Sequence, residues 1–246
     1  MTIRQPHSEE VPRLRRLWQL VFGDTDLFLD NFFACAYSPR RCLCATQGDA
    51  LAGMLYWLPC GSFAYIYAVA THPDHRGKGI CRALMDAAHA EILRQGYDGA
   101  LLYPQEEGLR EMYRKMGYFQ ETRIRELRCS AGGEAARLER IGPEEYFSAR
   151  CSLLPPDAVD QGAPFPQMTK DLLFFRGEGF LLAANGSDAF FAQELLGDLT
   201  KAPGILKALE KEQGTFRCPG DGLPFAMFRP LRDAAAAPGY FAFPLD

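Results

Sequence analysis

Residues 65–96 combine a strand pattern, a basic turn with two glycines and a helix pattern. The first part, YIYAVAT, is rich in the branched and aromatic residues that strands favour. After the turn HPDHRGKG, apolar residues recur on one side of a predicted helix that closes at Gly96: Ile80, Leu84, Ala87, Ala88 and Ile92. A helix that begins after such a turn exposes unpaired N–H groups at the positive end of its dipole. The pattern therefore predicts an anion site, and phosphate is its natural occupant.

The composition of the turn supports that prediction. Gly77 and Gly79 permit unusual backbone dihedrals and a close approach of the ligand, while Arg76, Lys78 and Arg82 add positive charge. The alternative is a solvated basic turn that only caps the helix. Two nucleotide-binding fingerprints do not fit, because there is no G-x-x-x-x-G-K-[ST] and an arginine replaces the last glycine of G-x-G-x-x-G.

Length, composition and charge exclude several classes of protein. The chain has 246 residues, of which 48% are hydrophobic, enough for a packed core in one large or two small domains. The net charge is −4 and no block of like charges occurs, so nucleic acid is not expected as a partner. The chain starts without an apolar signal core and lacks the run of about 20 apolar residues that a bilayer requires. We expect a soluble, cytoplasmic protein without a membrane partner.

The cysteines and histidines give no metal-binding pattern. Eight cysteines occur without a C-x-x-C pair, and only four histidines are present. A chain of this size with no export signal does not need disulfides. We expect reduced thiols and no metal site.

The rest of the chain reads as two halves. Two amphipathic helices at 8–23 and 24–37, with Ser8 and Asp24 as caps, precede strands on either side of a QGDA turn. A strand at 97–105, a helix at 106–117 and a strand at 118–129 follow. The small, polar stretch SAGGEAAR at 130–137 is the best linker candidate. The second half then repeats the element order of the first without a residue-level repeat.

These motifs together resemble the GNAT superfamily of N-acetyltransferases. The loop Arg76-Gly77-Lys78-Gly79-Ile80-Cys81 matches the family's phosphate loop, and Tyr113-Arg114-Lys115-Met116-Gly117-Tyr118 matches its Tyr-x-x-x-Gly-Phe signature. Cys81 replaces the common Gly or Ala, and Tyr118 replaces the usual Phe. The resemblance covers residues 1–129 in element order and is specific from 65 to 119.

The resemblance implies an α/β (α+β) architecture, with a mixed, twisted sheet flanked by helices. Residues 1–130 would form an acetyl-CoA-binding GNAT domain. Residues 138–246 would form a smaller GNAT-like α+β domain. Its turn GDLTKAPGIL has one glycine and a proline, so this domain would lack the phosphate-binding loop. Its expected task is to wall one side of the acceptor cleft.

The resemblance also assigns roles to single residues. Loop amides from Gly77 to Arg82 would bind the pyrophosphate of the cosubstrate acetyl-CoA, and a strand edge would pair with its pantetheine arm and stabilise the oxyanion. Tyr113 would protonate the departing thiolate, although it also fits an apolar helix stripe. The implied cofactor-binding residues are Val69, Ala70, Thr71, Arg76, Gly77, Lys78, Gly79, Ile80, Cys81 and Arg82.

The acceptor is implied only as a primary amine of a small molecule or peptide. Asp24 and Asp26, between the first two helices, are candidates for attracting its cation, although helix capping explains them as well. The general base, the acyl length and the oligomeric state stay open. Two alternative functions also stay open: a degenerate GNAT domain that binds CoA or an effector without turnover, and a scaffold that binds no cofactor.

Overall fold

A computed structural model describes residues 1–186 and 189–245. The chain forms two compact units, which are Met1–Gln120 with Met227–Ala237, and Glu121–Ala226 with Pro238–Asp246. The predicted domains, 1–130 and 138–246, divide the chain at a different place. The units divide after Gln120 because the strand that begins there is hydrogen-bonded within the second unit. Ser187, Asp188 and Asp246, which belong to the predicted second domain, lie outside the described residues.

The helices and strands of both units follow one another in this order along the chain. They are β1 (Thr2–Arg4), α1 (Val11–Phe22), α2 (Asp26–Cys35), β2 (Cys42–Gln47), β3 (Ala50–Cys60), β4 (Phe63–Thr71), α3 (Ile80–Arg94), β5 (Gly99–Leu102), α4 (Glu107–Arg114), β6 (Gln120–Ser130), β7 (Glu139–Ile141), α5 (Pro143–Arg150), α6 (Phe165–Met168), β8 (Leu173–Gly177), β9 (Phe180–Ala184), β10 (Phe190–Gly197), α7 (Ala202–Ala208), β11 (Gln213–Pro219) and β12 (Leu223–Pro230).

The first unit contains a mixed sheet in the order β1-β2-β3-β4-β5-β12. Only β4 and β5 run parallel, and the helix α3 crosses over between them. The last strand comes from the far end of the chain, with Met227–Pro230 antiparallel to β5. This mixed sheet with flanking helices confirms the predicted fold class.

Apolar residues on the two faces of this sheet explain the positions of its helices. The predicted stripe of α3, with Ile80, Leu84, Ala88 and Ile92, packs against one face of β3 and β4. On the other face, the indole of Trp18 in α1 lies 5.6 Å from the ring of Tyr67 in β4, measured between centroids. Side chains that alternate along each strand therefore contribute to two separate core layers, one on each face of the sheet.

The second unit repeats the element order of the first. Its sheet has the order β7-β8-β9-β10-β11-β6, and among the strands that the structure describes β10 and β11 form its one parallel pair. The series β7, α5, α6, β8, β9, β10, α7, β11 corresponds element by element to β1, α1, α2, β2, β3, β4, α3, β5. The predicted echo of the first half in the second is therefore present, although α7 is only 7 residues long against 15 in α3.

The segment interpreted as a linker is an ordered part of the second unit. The backbone N–H of Gly132 donates to the carbonyl of Pro203, and that of Ala136 donates to the carbonyl of Gly204. Lys207 donates from Nζ to the carbonyl of Gly133 at 2.8 Å. The small and polar residues of this segment led us to predict a flexible linker. In the structure, these small residues instead allow the segment to pack closely against α7.

A buried ion pair ties α5 to β10 in the second unit. Arg150 Nε donates to Glu194 Oε2 at 2.7 Å, and the side chains are 2% and 0% exposed. The hydroxyl of Tyr146 also donates to this carboxylate at 2.8 Å. Burial disfavours the charged guanidinium, but the neighbouring carboxylate outweighs that effect and raises the pKa of Arg150.

We expect Arg150→Met to destabilise the second unit by about 3–5 kcal/mol, because it leaves the Glu194 carboxylate buried without a counter-charge. The matched control is Arg176→Met, since Arg176 pairs with Glu145 at 2.8 Å where the side chains are 39% and 51% exposed. That change should cost less than about 1 kcal/mol. Urea denaturation of both variants measures the difference. Equal, small losses would contradict this account of the pair.

Candidate functional site

A bulge interrupts the pairing of β4 with β3. Met54 pairs with Ala70, but the next pair is Tyr56 with Tyr67, so β4 has one extra residue at this point. Ala68 takes the strain, with φ of 49°, a region that residues with a side chain adopt infrequently. Bulges re-aim backbone groups and increase local twist. This one lies directly before the predicted residues Val69 to Thr71.

Among the described residues, no strand pairs with the same half of β4 on its other side. The parallel ladder with β5 joins only Phe63 to Tyr65 of β4 with Gly99 to Leu101. Because β5 ends at Leu102, the second half of β4 continues without it. The backbone of Val69 to Thr71 is thus a strand edge that an extended ligand can join by hydrogen bonds.

The glycine loop follows immediately and delivers the chain to α3. Gly77 and Gly79 have φ of 73° and 75°, the left-handed conformation that favours glycine. Gly79 is the N-cap residue of α3, and it has no side chain that could accept a hydrogen bond from the first turn. A Cβ on either glycine would meet no atom within 4 Å, so the loop is open on that side. The open side of the loop lies at the N-terminus of the 15-residue helix α3, and the helix dipole there favours an anion such as a phosphate group.

The basic side chains of the loop are held around this cradle. Lys78 Nζ donates to the carbonyl of Asp74 at 3.0 Å, and Arg76 Nε donates to that of Thr71 at 3.4 Å. Arg82 Nη2 donates to the carbonyl of Lys115 at 3.1 Å, directly after α4. All three are exposed, so they add a positive field without filling the loop.

Cys81 does not obstruct the loop. It packs against the apolar cluster under α3 and is half-buried. Burial raises the pKa of its thiol, although the charge of Arg82 works in the opposite direction. The thiol therefore substitutes for a smaller residue on the core side of the helix.

A C-terminal cap of α4 explains the spacing of the tyrosine motif. The N–H of Tyr118 donates to the carbonyl of Tyr113 at 3.2 Å, and the N–H of Gly117 donates to that of Arg114 at 3.0 Å. Gly117 has φ of 94°, so the motif forms a Schellman cap. The rings of Tyr113 and Tyr118 pack edge to face with centroids 5.8 Å apart. The cap thus fixes where the Tyr113 ring lies.

A buried polar chain holds Tyr118 in turn. Arg229 Nη1 lies 2.9 Å from Nδ1 of His89, and His89 Nε2 lies 2.8 Å from the Tyr118 hydroxyl. A guanidinium only donates, so Nδ1 accepts and Nε2 carries the proton that bonds to Tyr118. Arg229 also donates to the carbonyl of Met116 at 2.6 Å. The hydroxyl that distinguishes Tyr118 from phenylalanine therefore has a partner.

The structure brings one group of predicted residues together and leaves another apart. Val69, Ile80, Cys81 and Tyr113 all belong to the apolar cluster on the α3 side of the sheet. The strand edge, the loop and α4 thus meet at one side of the first unit. Sequence analysis missed His89, Tyr118 and Arg229 as supporting residues, and Arg229 gives no local signal because it lies 140 residues from His89.

Asp24 and Asp26 are engaged elsewhere. Asp24 Oδ2 accepts from the indole N–H of Trp18 at 2.7 Å, and Asp26 Oδ1 accepts from Gln19 Nε2 at 2.7 Å. The prediction that Asp24 caps α2 is wrong, because the Thr25 hydroxyl accepts from the N–H of Phe28 there. Both carboxylates stabilise the α1–α2 turn.

The corresponding turn of the second unit is built differently. The Asp198 carboxylate accepts from the N–H of Thr200 at 3.0 Å and from its hydroxyl at 2.6 Å. The Asp198 side chain thus occupies a backbone N–H group in the turn that precedes α7. This turn therefore offers a bound phosphate fewer free donors than the loop before α3.

Comparison with known families now assigns the fold. Residues 2–120 match the family described as acetyltransferase (GNAT) domain. Residues 2–120, just under half of the chain, are thereby identified as a GNAT acetyltransferase domain. This domain contains the bulged strand, the glycine loop and the tyrosine motif, and the family description supports acyl transfer as the general activity. A comparison with curated proteins finds no significant match.

Three solved structures share the fold over most of the chain. A GCN5-related N-acetyltransferase from Kribbella flavida has a TM-score of 0.72 and 16% identity, covering 94% of this chain and 72% of its own. Another from Anabaena variabilis has a TM-score of 0.71 and 15% identity, covering 94% and 73%. A probable N-acyltransferase from Enterococcus faecalis has a TM-score of 0.73 and 14% identity, covering 94% and 72%.

Within residues 1–186 and 189–245, no helix has the length and apolar character needed to cross a bilayer. The same residues contain no group of three or more His, Cys, Asp or Glu side chains arranged to hold a metal ion.

The polar chain behind Tyr113 predicts a pH dependence. Burial, and then the charge of Arg229, lower the pKa of His89 to about 3, against about 6.5 in an unfolded chain. The unfolded chain then binds a proton that the folded unit does not. The free energy of unfolding therefore falls as the pH falls through this interval.

We expect the wild type to lose about 2 kcal/mol between pH 7 and pH 5 through His89, and His89→Gln to lose less. Denaturation curves at the two pH values measure this. Glu10, whose pKa is lowered to about 2 mainly by its hydrogen bond with Arg4, affects stability only at more acidic pH. An identical pH dependence in both proteins would contradict the buried, neutral state of His89.

Proposed function

We propose that the GNAT domain transfers an acetyl group from acetyl-CoA to a primary amine of a small molecule or peptide, by direct attack on the thioester. The observation that carries the proposal is the combination of a bulged, open edge on β4 with an open glycine loop at the start of α3. One site recognises an extended arm, and the other recognises phosphate. Their succession along the chain matches a ligand with both parts.

The loop would hold the pyrophosphate of acetyl-CoA. Backbone amides from Gly77 to Arg82 would supply the donors, and neither glycine places a Cβ atom on the open side of the loop. The side chains of Arg76, Lys78 and Arg82 would add charge attraction, weakened by their exposure. Binding would then depend on backbone conformation more than on any single basic side chain.

The strand edge would hold the pantetheine arm and take part in the reaction. Backbone groups of Val69, Ala70 and Thr71 would pair with its amides. An N–H freed from the ladder by the bulge would donate to the thioester oxygen and stabilise its negative charge when the amine attacks.

Tyr113 would manage the proton of the leaving group. The amine nitrogen bonds to the acetyl carbon, the carbon–sulfur bond breaks, and the sulfur takes the hydroxyl proton of Tyr113. The tyrosinate regains a proton from water, while the amine releases its own proton to solvent or to a base. A phenol with an ordinary pKa of about 10 is protonated at neutral pH and suits this task.

One observation favours the alternative of a CoA-binding module without turnover. The carboxylates of Asp24 and Asp26, the candidates for binding the acceptor, are engaged with Trp18 and Gln19. Release of free CoA thiol from acetyl-CoA in the presence of a panel of primary amines separates the two functions. Turnover with any amine supports the enzyme, whereas binding without turnover supports the module.

We expect Gly79→Val to weaken acetyl-CoA binding by at least about tenfold, because a side chain would disturb the left-handed loop and enter its open side. The matched control is Gly48→Val in the β2–β3 turn, where φ is 56° and a Cβ also meets nothing within 4 Å. Calorimetric titration of both variants measures the affinity. Equal affinities in the two variants would contradict the phosphate-loop proposal.

We expect Tyr113→Phe to lower kcat while leaving the acetyl-CoA dissociation constant nearly unchanged. The ring that packs on Tyr118 is kept, so only the proton donor is lost. The loss should approach the about 10²–10⁴-fold typical of general acids. A steady-state assay of CoA release, run beside a binding titration, measures both quantities. Normal turnover would leave Tyr113 a packing residue.

A further inference from the structure

A second cationic cleft lies at the opposite end of α3 from the glycine loop. It has a volume of about 600 Å³ and is lined by Gln5, Ser38, Arg40, Arg41, Arg94 and Tyr97, together with Gln95. We call it the arginine cleft. Because α3 has 15 residues, its two ends are about 22 Å apart. The arginine cleft is therefore separate from the proposed acetyl-CoA site.

The charges in the arginine cleft are not balanced by the protein. Arg94 pairs with Glu91, whose oxygens lie 2.5 and 2.8 Å from its nitrogens. Arg40 and Arg41 have no carboxylate within 4.0 Å among the described residues. Two guanidinium charges therefore remain, in a chain whose net charge is −4.

Arg41 is the best-defined cation of the cleft. Its Nη2 donates to the carbonyl of Ala36 at 3.4 Å, which anchors the guanidinium. Its Nε is buried and has no hydrogen-bond partner in the part of the chain that the structure describes. A buried donor without an acceptor is costly. The Arg41 guanidinium also lines the cleft, and a guanidinium can bind an oxyanion with two parallel hydrogen bonds.

The frame around these cations is fixed in advance. Gln95 Nε2 donates to the carbonyl of Arg40 at 2.8 Å and to Glu91 Oε1 at 2.8 Å, which joins the Arg40 backbone to the end of α3. The indole N–H of Trp57 donates to Gln95 Oε1 at 3.3 Å. Burial raises the pKa of Tyr97, although the nearby Arg41 opposes this, so its hydroxyl stays protonated and can donate. Preorganised donors bind an anion without further ordering.

We propose that the arginine cleft binds a small oxyanion with about two negative charges, a phosphate monoester or a dicarboxylate, as a ligand distinct from acetyl-CoA. Arg40 and Arg41 supply the balancing charges, and Ser38 and Tyr97 supply neutral donors. Arg40 and Arg41 together carry two positive charges, so a ligand with about two negative charges balances them. A site this far from the glycine loop suits an effector and not a reacting group.

The test is calorimetric titration of the full chain with inorganic phosphate and, separately, with succinate. Arg41→Gln and Arg40→Gln should each weaken binding of the preferred anion by about tenfold or more, since each removes a charge-assisted interaction. Arg40 is exposed, so its variant tests the proposal even if Arg41→Gln impairs folding. The matched control, Arg16→Gln, changes an exposed arginine of α1 and should leave the affinity unchanged.

The two anions distinguish the two classes of ligand. Arginine-dependent binding of phosphate identifies a phosphate ligand, and arginine-dependent binding of succinate identifies a dicarboxylate. No binding of either anion at millimolar concentration would overturn the proposal. Equal affinity in all three variants would also overturn it, because the anion would then bind elsewhere. We expect the Arg40 and Arg41 variants to bind CoA with unchanged affinity. If these variants lost affinity for both CoA and phosphate, both ligands would bind at the glycine loop and the proposal would be wrong.

Discussion

The candidate site of the first unit depends on the incomplete pairing of β4 with its neighbouring strands. Its first residues are held by β3 and β5, but after Tyr65 the parallel ladder ends and the bulge at Ala68 alters the pairing with β3. A regular strand here would have satisfied its backbone within the sheet. The interrupted strand instead keeps donors and acceptors available at an edge, which proteins tolerate when the edge has a binding role. It also directs the chain into the glycine loop.

The second unit shares the interrupted strand but differs in the turn and the helix that follow it. Its strand β10 also pairs in parallel with β11 through only three residues, and it too is bulged, between Ala192 and Glu194. However, the Asp198 carboxylate accepts a hydrogen bond from a backbone N–H before α7, and α7 is about half as long as α3. A carboxylate at this place repels phosphate. These features support the proposal that only the first unit binds CoA.

The parts that sequence analysis predicted are those with local causes. The α3 stripe repeats every four residues, and Gly77 and Gly79 mark a left-handed turn, so both follow from neighbouring residues. The resemblance to the GNAT family rested on the same local motifs and is confirmed by the match over residues 2–120.

The parts it did not predict depend on residues far apart in the chain. The pairing of β5 with Met227–Pro230 joins strands that no local pattern connects. Arg229 reaches His89 for the same reason. Asp24 illustrates a second limit, because a carboxylate at a helix start fits a cap, a ligand group or a bond to Trp18 equally well until the indole is placed.

Hydrogen exchange with and without CoA tests the central claim, that the open edge of β4 and the loop before α3 form one binding surface. The account predicts slower exchange of backbone amides at 69–71 and 77–82 when CoA is bound, with no change at 198–204 in the second unit. Unchanged exchange in either of the first two segments, or equal slowing at 198–204, would contradict it.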